Sequence, residues 1–186
     1  MSVAEIRTNH ENKMKKALDV LKHDLASVRA GRANPSILEK VMVDYYGTPT
    51  AVNQLANVTV PEPRMIVIQP WEKNLLKDIE KAIMKSDLGL NPNNDGSVIR
   101  LNIPQLTEQR RQEIVKSVSK KVEDSKVAIR NIRRDANDCI KKLEKDKEIA
   151  QDESKKAQED MQKLTDKYIK IADEIYQLKE KEIVEV

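Results

Sequence analysis

Near the start of the chain, apolar residues recur at spacings of four and three, through Met14, Leu18, Leu21, Leu25 and Val28. That rhythm keeps them on one face of an α-helix and predicts an amphipathic helix across this flank. Ser2, followed three residues later by Glu5, can form a capping box at its start. The same rhythm returns in Val115, Val118, Val122, Ser125, Ile129, Ile132, Ala136, Cys139 and Leu143, and again in Ala157, Met161, Leu164, Tyr168, Ile171, Ile175 and Leu178. Thr107 can cap the second helix, and the positive end of the helix dipole favours Glu108 in its first turn. Running from about Thr107 to about Ile149, that helix would be roughly 60 Å long at 1.5 Å per residue. Each segment has one apolar seam and a charged remainder, so three of them packed along their seams would bury a shared core. A three-helix bundle is predicted. A dimeric coiled coil competes with it, because heptads of this length also serve association between chains.

Between Gly31 and Pro104 the period falls to two. Val41, Val43 and Tyr45 alternate with Met42, Asp44 and Tyr46 before a Gly47-Thr48-Pro49 turn, and Val58 to Val60 and Met65 to Ile68 are β-branched runs bounded by proline. These predict short strands. Leu75, Leu76, Ile79, Ala82 and Ile83 mark one helix from about Glu72 to Lys85, and Asn94-Asp95-Gly96 turns into a last strand, Val98 to Ile103. Tyr45 to Pro49 and Trp71 are candidates for exposed loops, set against a core or turn role.

All four glycines and all seven prolines lie between Gly31 and Pro104. Their absence elsewhere permits long helices, and their presence there implies turns. The predicted organisation is α+β: a discontinuous bundle of residues 1–30 and 105–186, carrying an inserted β/α/β domain of residues 31–104. Two stretches of chain cross between the modules, at Ala30-Gly31-Arg32 and at Ile103-Pro104-Gln105. They read either as a two-strand hinge or as simple helix ends.

Of the 186 residues 65 are charged, yet 34 basic and 31 acidic side chains leave a net charge of only +3. No apolar run approaches the roughly 18 to 20 residues needed to cross a bilayer, so a soluble protein with no membrane partner is expected. The first ten residues resemble neither a secretory signal nor a transit peptide, which points to a bacterial cytoplasmic protein, with a mature organellar one reading the same. A single cysteine, Cys139, cannot form an internal disulfide and falls in an apolar seam, where a buried hydrophobe is expected over a nucleophile.

Catalytic chemistry is thin. His10 and His23 stand thirteen residues apart with no metal-ligand spacing, and there is no phosphate loop, dinucleotide fingerprint or nucleophile elbow. No cofactor is implied. Charge is unevenly placed: residues 110–145 hold twelve Lys and Arg against six acids, and residues 148–186 hold seven against eleven. On the basic helix Lys126, Arg130, Arg133 and Asn137 recur at four, three and four, with Arg134 and Lys141 alongside. Arginine forks suit phosphate and base edges, so the stripe is a candidate nucleic-acid surface. The alternative is a basic helix that merely complements its acidic neighbour. With only five aromatic residues, binding of single strands by stacking is disfavoured, and folded RNA read by shape and phosphate is the expected target.

Several stretches together resemble the bacterial ribosome recycling factors: Ser27-Val28-Arg29-Ala30-Gly31-Arg32-Ala33-Asn34-Pro35-Ser36, Tyr45-Tyr46-Gly47-Thr48-Pro49-Thr50, Ser86-Asp87-Leu88-Gly89-Leu90-Asn91-Pro92-Asn93, Leu106-Thr107-Glu108-Gln109-Arg110-Arg111, and the run from Val127 to Asn137. Asn34, Gln105 and Gln109 depart mildly from the family pattern. The resemblance implies an L-shaped α+β monomer that hydrolyses nothing itself. It implies binding to the 70S post-termination ribosome on large-subunit ribosomal RNA, and subunit separation with elongation factor G and GTP. Carried over by position, Arg130 and Arg133 would contact ribosomal RNA, with Arg29, Arg110 and Arg134 as further candidates and Arg32 in the hinge. A structural coiled-coil adaptor, or an enzyme with a site in the small domain, are the competing functions.

Overall fold

The computed structural model describes residues 1–26, 28 and 31–184. The chain separates into two compact units, one of Met1–Val28 and Gln109–Glu185, the other of Arg29–Glu108.

The first unit holds three long helices, α1 (Val3–Ala26), α4 (Glu108–Lys145) and α5 (Gln151–Val184). The capping box forms: the Ser2 N–H donates to Glu5 Oε2 at 2.8 Å and the Glu5 N–H to Ser2 Oγ at 3.2 Å. The 38 residues of α4 span roughly 57 Å. Its buried seam is Ile114, Val118, Val122, Ile129, Ala136, Ile140 and Leu143. Val115 and Cys139, expected in that seam, are only half-buried, and Ile114 and Ile140 take their places. A strict three-four alternation has a period of 3.5, and a straight helix drifts about 20° per heptad against it, so the ends of a long seam rotate off the core face. In α5 the same drift buries Ala172 and Ile183 and leaves Leu178 exposed.

His10 is buried in α1 with its Nδ1 donating to the Ile6 carbonyl at 2.6 Å. α1 packs on α5, where the Tyr168 hydroxyl donates to Glu11 Oε1 at 2.9 Å. Burial, helped by that carboxylate, pushes the Tyr168 phenol up to about 12. The turn from α4 to α5 is closed without glycine. Lys147 takes a left-handed conformation at φ 58°. Its N–H donates to the Glu144 carbonyl at 3.0 Å while the Glu148 N–H donates to the Leu143 carbonyl at 2.9 Å. This pair of bonds is the Schellman motif.

Among its described residues the second unit contains six strands: β1 (Met42–Tyr45), β2 (Thr48–Ala51), β3 (Ala56–Glu62), β4 (Met65–Pro70), β5 (Pro92–Asn94) and β6 (Ile99–Asn102). β1 and β2 form a hairpin, and the others an antiparallel sheet in the order β3-β4-β6-β5. The hairpin turn is Tyr46-Gly47, at φ 50° and 83°, the two positive values of a type I′ turn. It therefore comes one residue earlier than Gly47-Thr48-Pro49, and Thr48 and Pro49 belong to β2, paired with Tyr45 and Asp44. Pro61 sits in the edge strand β3 within a register shift between Thr59 and Glu62, a position where a missing N–H is tolerated. A single helical turn, α2 (Val52–Leu55), links β2 to β3. The helix predicted from Glu72 begins as a 3-10 turn, Lys73–Leu75, and continues as α3 (Leu76–Lys85). α3 packs against both β1 and β5. Leu38, Ile66, Ile68, Ile79, Ile83, Ile99 and Leu101 are among the residues of its core. Trp71 and Tyr46, 70% and 80% exposed, take no part in it, so a core role for Trp71 is ruled out.

Both ends of this unit are anchored at one place. The Ala33 N–H donates to the Pro63 carbonyl and the Ile103 N–H to the Arg64 carbonyl, each at 2.7 Å. Pro63 and Arg64 are the turn between β3 and β4. Before the first anchor lies buried Gly31 at φ 79°, a conformation that favours glycine, with exposed Arg32 after it. After the second anchor, Pro104 and Gln105 are exposed and outside any helix or strand. Ala30 lies outside the described residues.

Candidate nucleic-acid interface

Lys126, Arg130, Arg133 and Asn137 all stand on α4, and at 100° per residue they fall within about 60° of one another around its axis. Arg134 is offset by about 40° from Arg130 on the same side. Arg110 stands about 30 Å back along the helix and on a different face. Arg29 lies outside the described residues.

One edge of this stripe is shared with α5. The Lys126 side chain is only 17% exposed, and its ammonium pairs with Asp173 of α5. Farther along, Arg133 Nη1 donates to Gln162 Oε1 of α5 at 2.6 Å, and Gln162 passes the bond on from its Nε2 to Asp166 Oδ1 at 2.8 Å. The two helices run antiparallel, so residue numbers on α4 rise as their partners on α5 fall.

These partners divide the stripe electrostatically. Lys126 has its charge offset by a carboxylate, Arg110 faces Glu113 at 3.0 Å, and Arg130 reaches Glu123 at 3.4 Å. Arg133 and Arg134 instead donate to neutral amide oxygens, Arg134 to Asn131 Oδ1 at 3.3 Å. A guanidinium on a neutral acceptor is oriented without losing its field, and its charge is left for an anion to meet. Arg133 Nε and Asn137 Oδ1 are both buried with no hydrogen-bond partner in the structure.

Gln162 and Asp173 were not expected from the sequence as parts of this surface. The signal was the polar spacing on α5, which becomes legible only once the rotation of α5 against α4 is known. Among the described residues, no group of three or more His, Cys, Asp or Glu side chains is placed to hold a metal ion. Nor is any helix among them long and apolar enough to cross a membrane.

Residues 21–184 match the family described as ribosome recycling factor. The chain belongs to the ribosome recycling factor family. The ribosome-recycling factor of Syntrophomonas wolfei subsp. wolfei is 60% identical over 184 residues, covering 99% of this chain and all of that protein. That of Caldicellulosiruptor bescii is 64% identical over 176 residues, covering 95% of this chain and 96% of its own. A solution structure of the ribosome recycling factor superimposes with a TM-score of 0.80 at 42% identity, over 100% of this chain and 99% of the other. A second structure is described as models for the T. thermophilus ribosome recycling factor and the E. coli elongation factor G bound to the E. coli post-termination complex. It matches with a TM-score of 0.66 at 49% identity, over 98% and 99% of the two chains. Recycling factors thus share both the helices and the small sheet unit of this chain.

Proposed function

We propose that this chain is a cytoplasmic, monomeric ribosome recycling factor. With elongation factor G and GTP it splits post-termination 70S ribosomes and frees them from messenger RNA for reuse. It catalyses no bond cleavage itself, and GTP is consumed by the elongation factor. The observation that carries this reading is full-length likeness to recycling factors, one of them described in models with elongation factor G bound to a post-termination complex. The α4 stripe adds a physical means of gripping RNA.

In this reading residues 1–30 and 105–186 form the arm that binds large-subunit ribosomal RNA, and residues 31–104 form an inserted domain that meets the elongation factor. Arg133 and Arg134 lead the RNA contacts, because their charge is uncompensated, and Arg130 follows. Lys126, Asn137, Arg110 and Arg29 complete the surface. The hinge is Ala30, Gly31 and Arg32 on one crossing and Pro104 and Gln105 on the other, with Ile103 as its anchor. The test is light scattering of post-termination ribosomes. Scattering should fall only when this chain, elongation factor G and GTP are all present. An equal fall without this chain would reject the function.

A further inference from the structure

The contact between α4 and α5 that orients Arg133 runs on to a third residue. Arg133 Nη1 donates to Gln162 Oε1 at 2.6 Å, and Gln162 Nε2 donates to Asp166 Oδ1 at 2.8 Å. Gln162 and Asp166 are four residues apart on α5, so they share one face of that helix, and both are exposed. A guanidinium can only donate and a carboxylate can only accept, whereas a primary amide does both, from opposite sides of one plane. Between Arg133 and Asp166 the Gln162 amide therefore has a single satisfactory orientation. Turned over, it would set its NH2 against the guanidinium and its oxygen against the carboxylate. Asp166 thus decides which end of Gln162 meets Arg133.

Orientation matters at this arginine. Its Nε is buried without a hydrogen-bond partner, so the Nη end has to carry any contact with a phosphate. A long side chain that is already held loses less freedom on binding than one that is free to turn. The amide is also a spacer. Lys126 meets the Asp173 carboxylate directly and has its charge offset there, whereas at Arg133 a neutral group stands in between.

We infer that Asp166, acting through Gln162, is a positioning residue for the contact of Arg133 with large-subunit ribosomal RNA. It holds the guanidinium in one orientation before RNA arrives, and the intervening amide leaves the positive charge to the RNA. This rests on the recycling-factor reading. The sign of the effect sets positioning apart from simple charge. A carboxylate beside an RNA surface repels phosphate, so by charge alone its removal strengthens binding. By positioning, loss of the acceptor weakens it.

The test measures binding of the full chain to isolated large ribosomal subunits across a salt series, with circular dichroism as a check on each fold. Asp166→Asn and Asp166→Ala lose the same charge, but only Asn keeps an oxygen that can accept from Gln162. Asp166→Asn should bind at least as tightly as wild type, and Asp166→Ala about fivefold more weakly than Asp166→Asn, on the scale of one hydrogen bond. In an Arg133→Ala background the two variants should bind alike, because the residue they act through is gone. Gln162→Glu brings a carboxylate onto Arg133 and should lower the slope of log affinity against log salt by about one. It decides the matter if Asp166→Ala fails to fold. Equal affinities of Asp166→Asn and Asp166→Ala with Arg133 present would overturn the inference. So would the same gap with Arg133 absent, or an unchanged slope in Gln162→Glu. Wild type that ignores large subunits would overturn the functional reading as well.

Discussion

Arg133 and Lys126 stand seven residues apart on the same face of α4, and their surroundings give them opposite prospects. Arg133 rests on a neutral amide and Lys126 on a carboxylate. Replacing Arg133 with Ala should weaken binding to large subunits by about 1.5–3 kcal/mol, the scale of a hydrogen bond to a charged group, and lower the salt slope by about one. Replacing Lys126 with Ala should leave the slope unchanged, because Asp173 already compensates its charge. Titrations of both variants at several salt concentrations check this, and equal slopes would refute it. The spacing of the stripe was legible in the sequence, since period alone places 126, 130, 133 and 137 together. Which of them keeps its charge was not, because Gln162 and Asp173 are 29 and 47 residues away and reach the stripe only through helix pairing.

At the scale of elements, long apolar seams announced the three helices, and the Ser2–Glu5 box fixed the first of them. The weakest sequence signal lay at the end of α4, where neither glycine nor proline marks the turn. Lys147 stands at the left-handed position of the Schellman motif, where a side chain with a Cβ is strained by roughly 1 kcal/mol. Lys147→Gly should therefore raise stability by up to about 0.5 kcal/mol once the extra entropy of an unfolded glycine, roughly 0.5–1 kcal/mol, is set against it. Thermal or urea unfolding reads this directly, and a loss of stability would contradict it. In the small unit, β2 and β5 escaped notice for a related reason. Thr48–Ala51 and Pro92–Asn94 carry the proline and asparagine expected of turns. They become strands because neighbouring segments offer them ladder partners.

At the scale of the molecule, glycine and proline were confined to the stretch that builds the sheet unit, and that confinement was the plainest message of the chain. What it could not convey is how the insert begins and ends. Ala33 and Ile103 are pinned to the adjacent carbonyls of Pro63 and Arg64, so about seventy residues start and finish almost at one point. If the insert is unfolded, α1 and α4 must find each other across a loop of some eighty residues. Once it is folded, the effective loop shrinks to about a dozen, a difference of about 2 kcal/mol in closure entropy. Ile79→Asp, at a fully buried position of α3, should therefore loosen the long helices too, reducing amide-exchange protection in α4 by that amount. Unaltered protection there would refute the coupling. The turn between β3 and β4 thus acts as a clasp on the chain: by tying off the insert it shortens the search by which the first helix meets the other two.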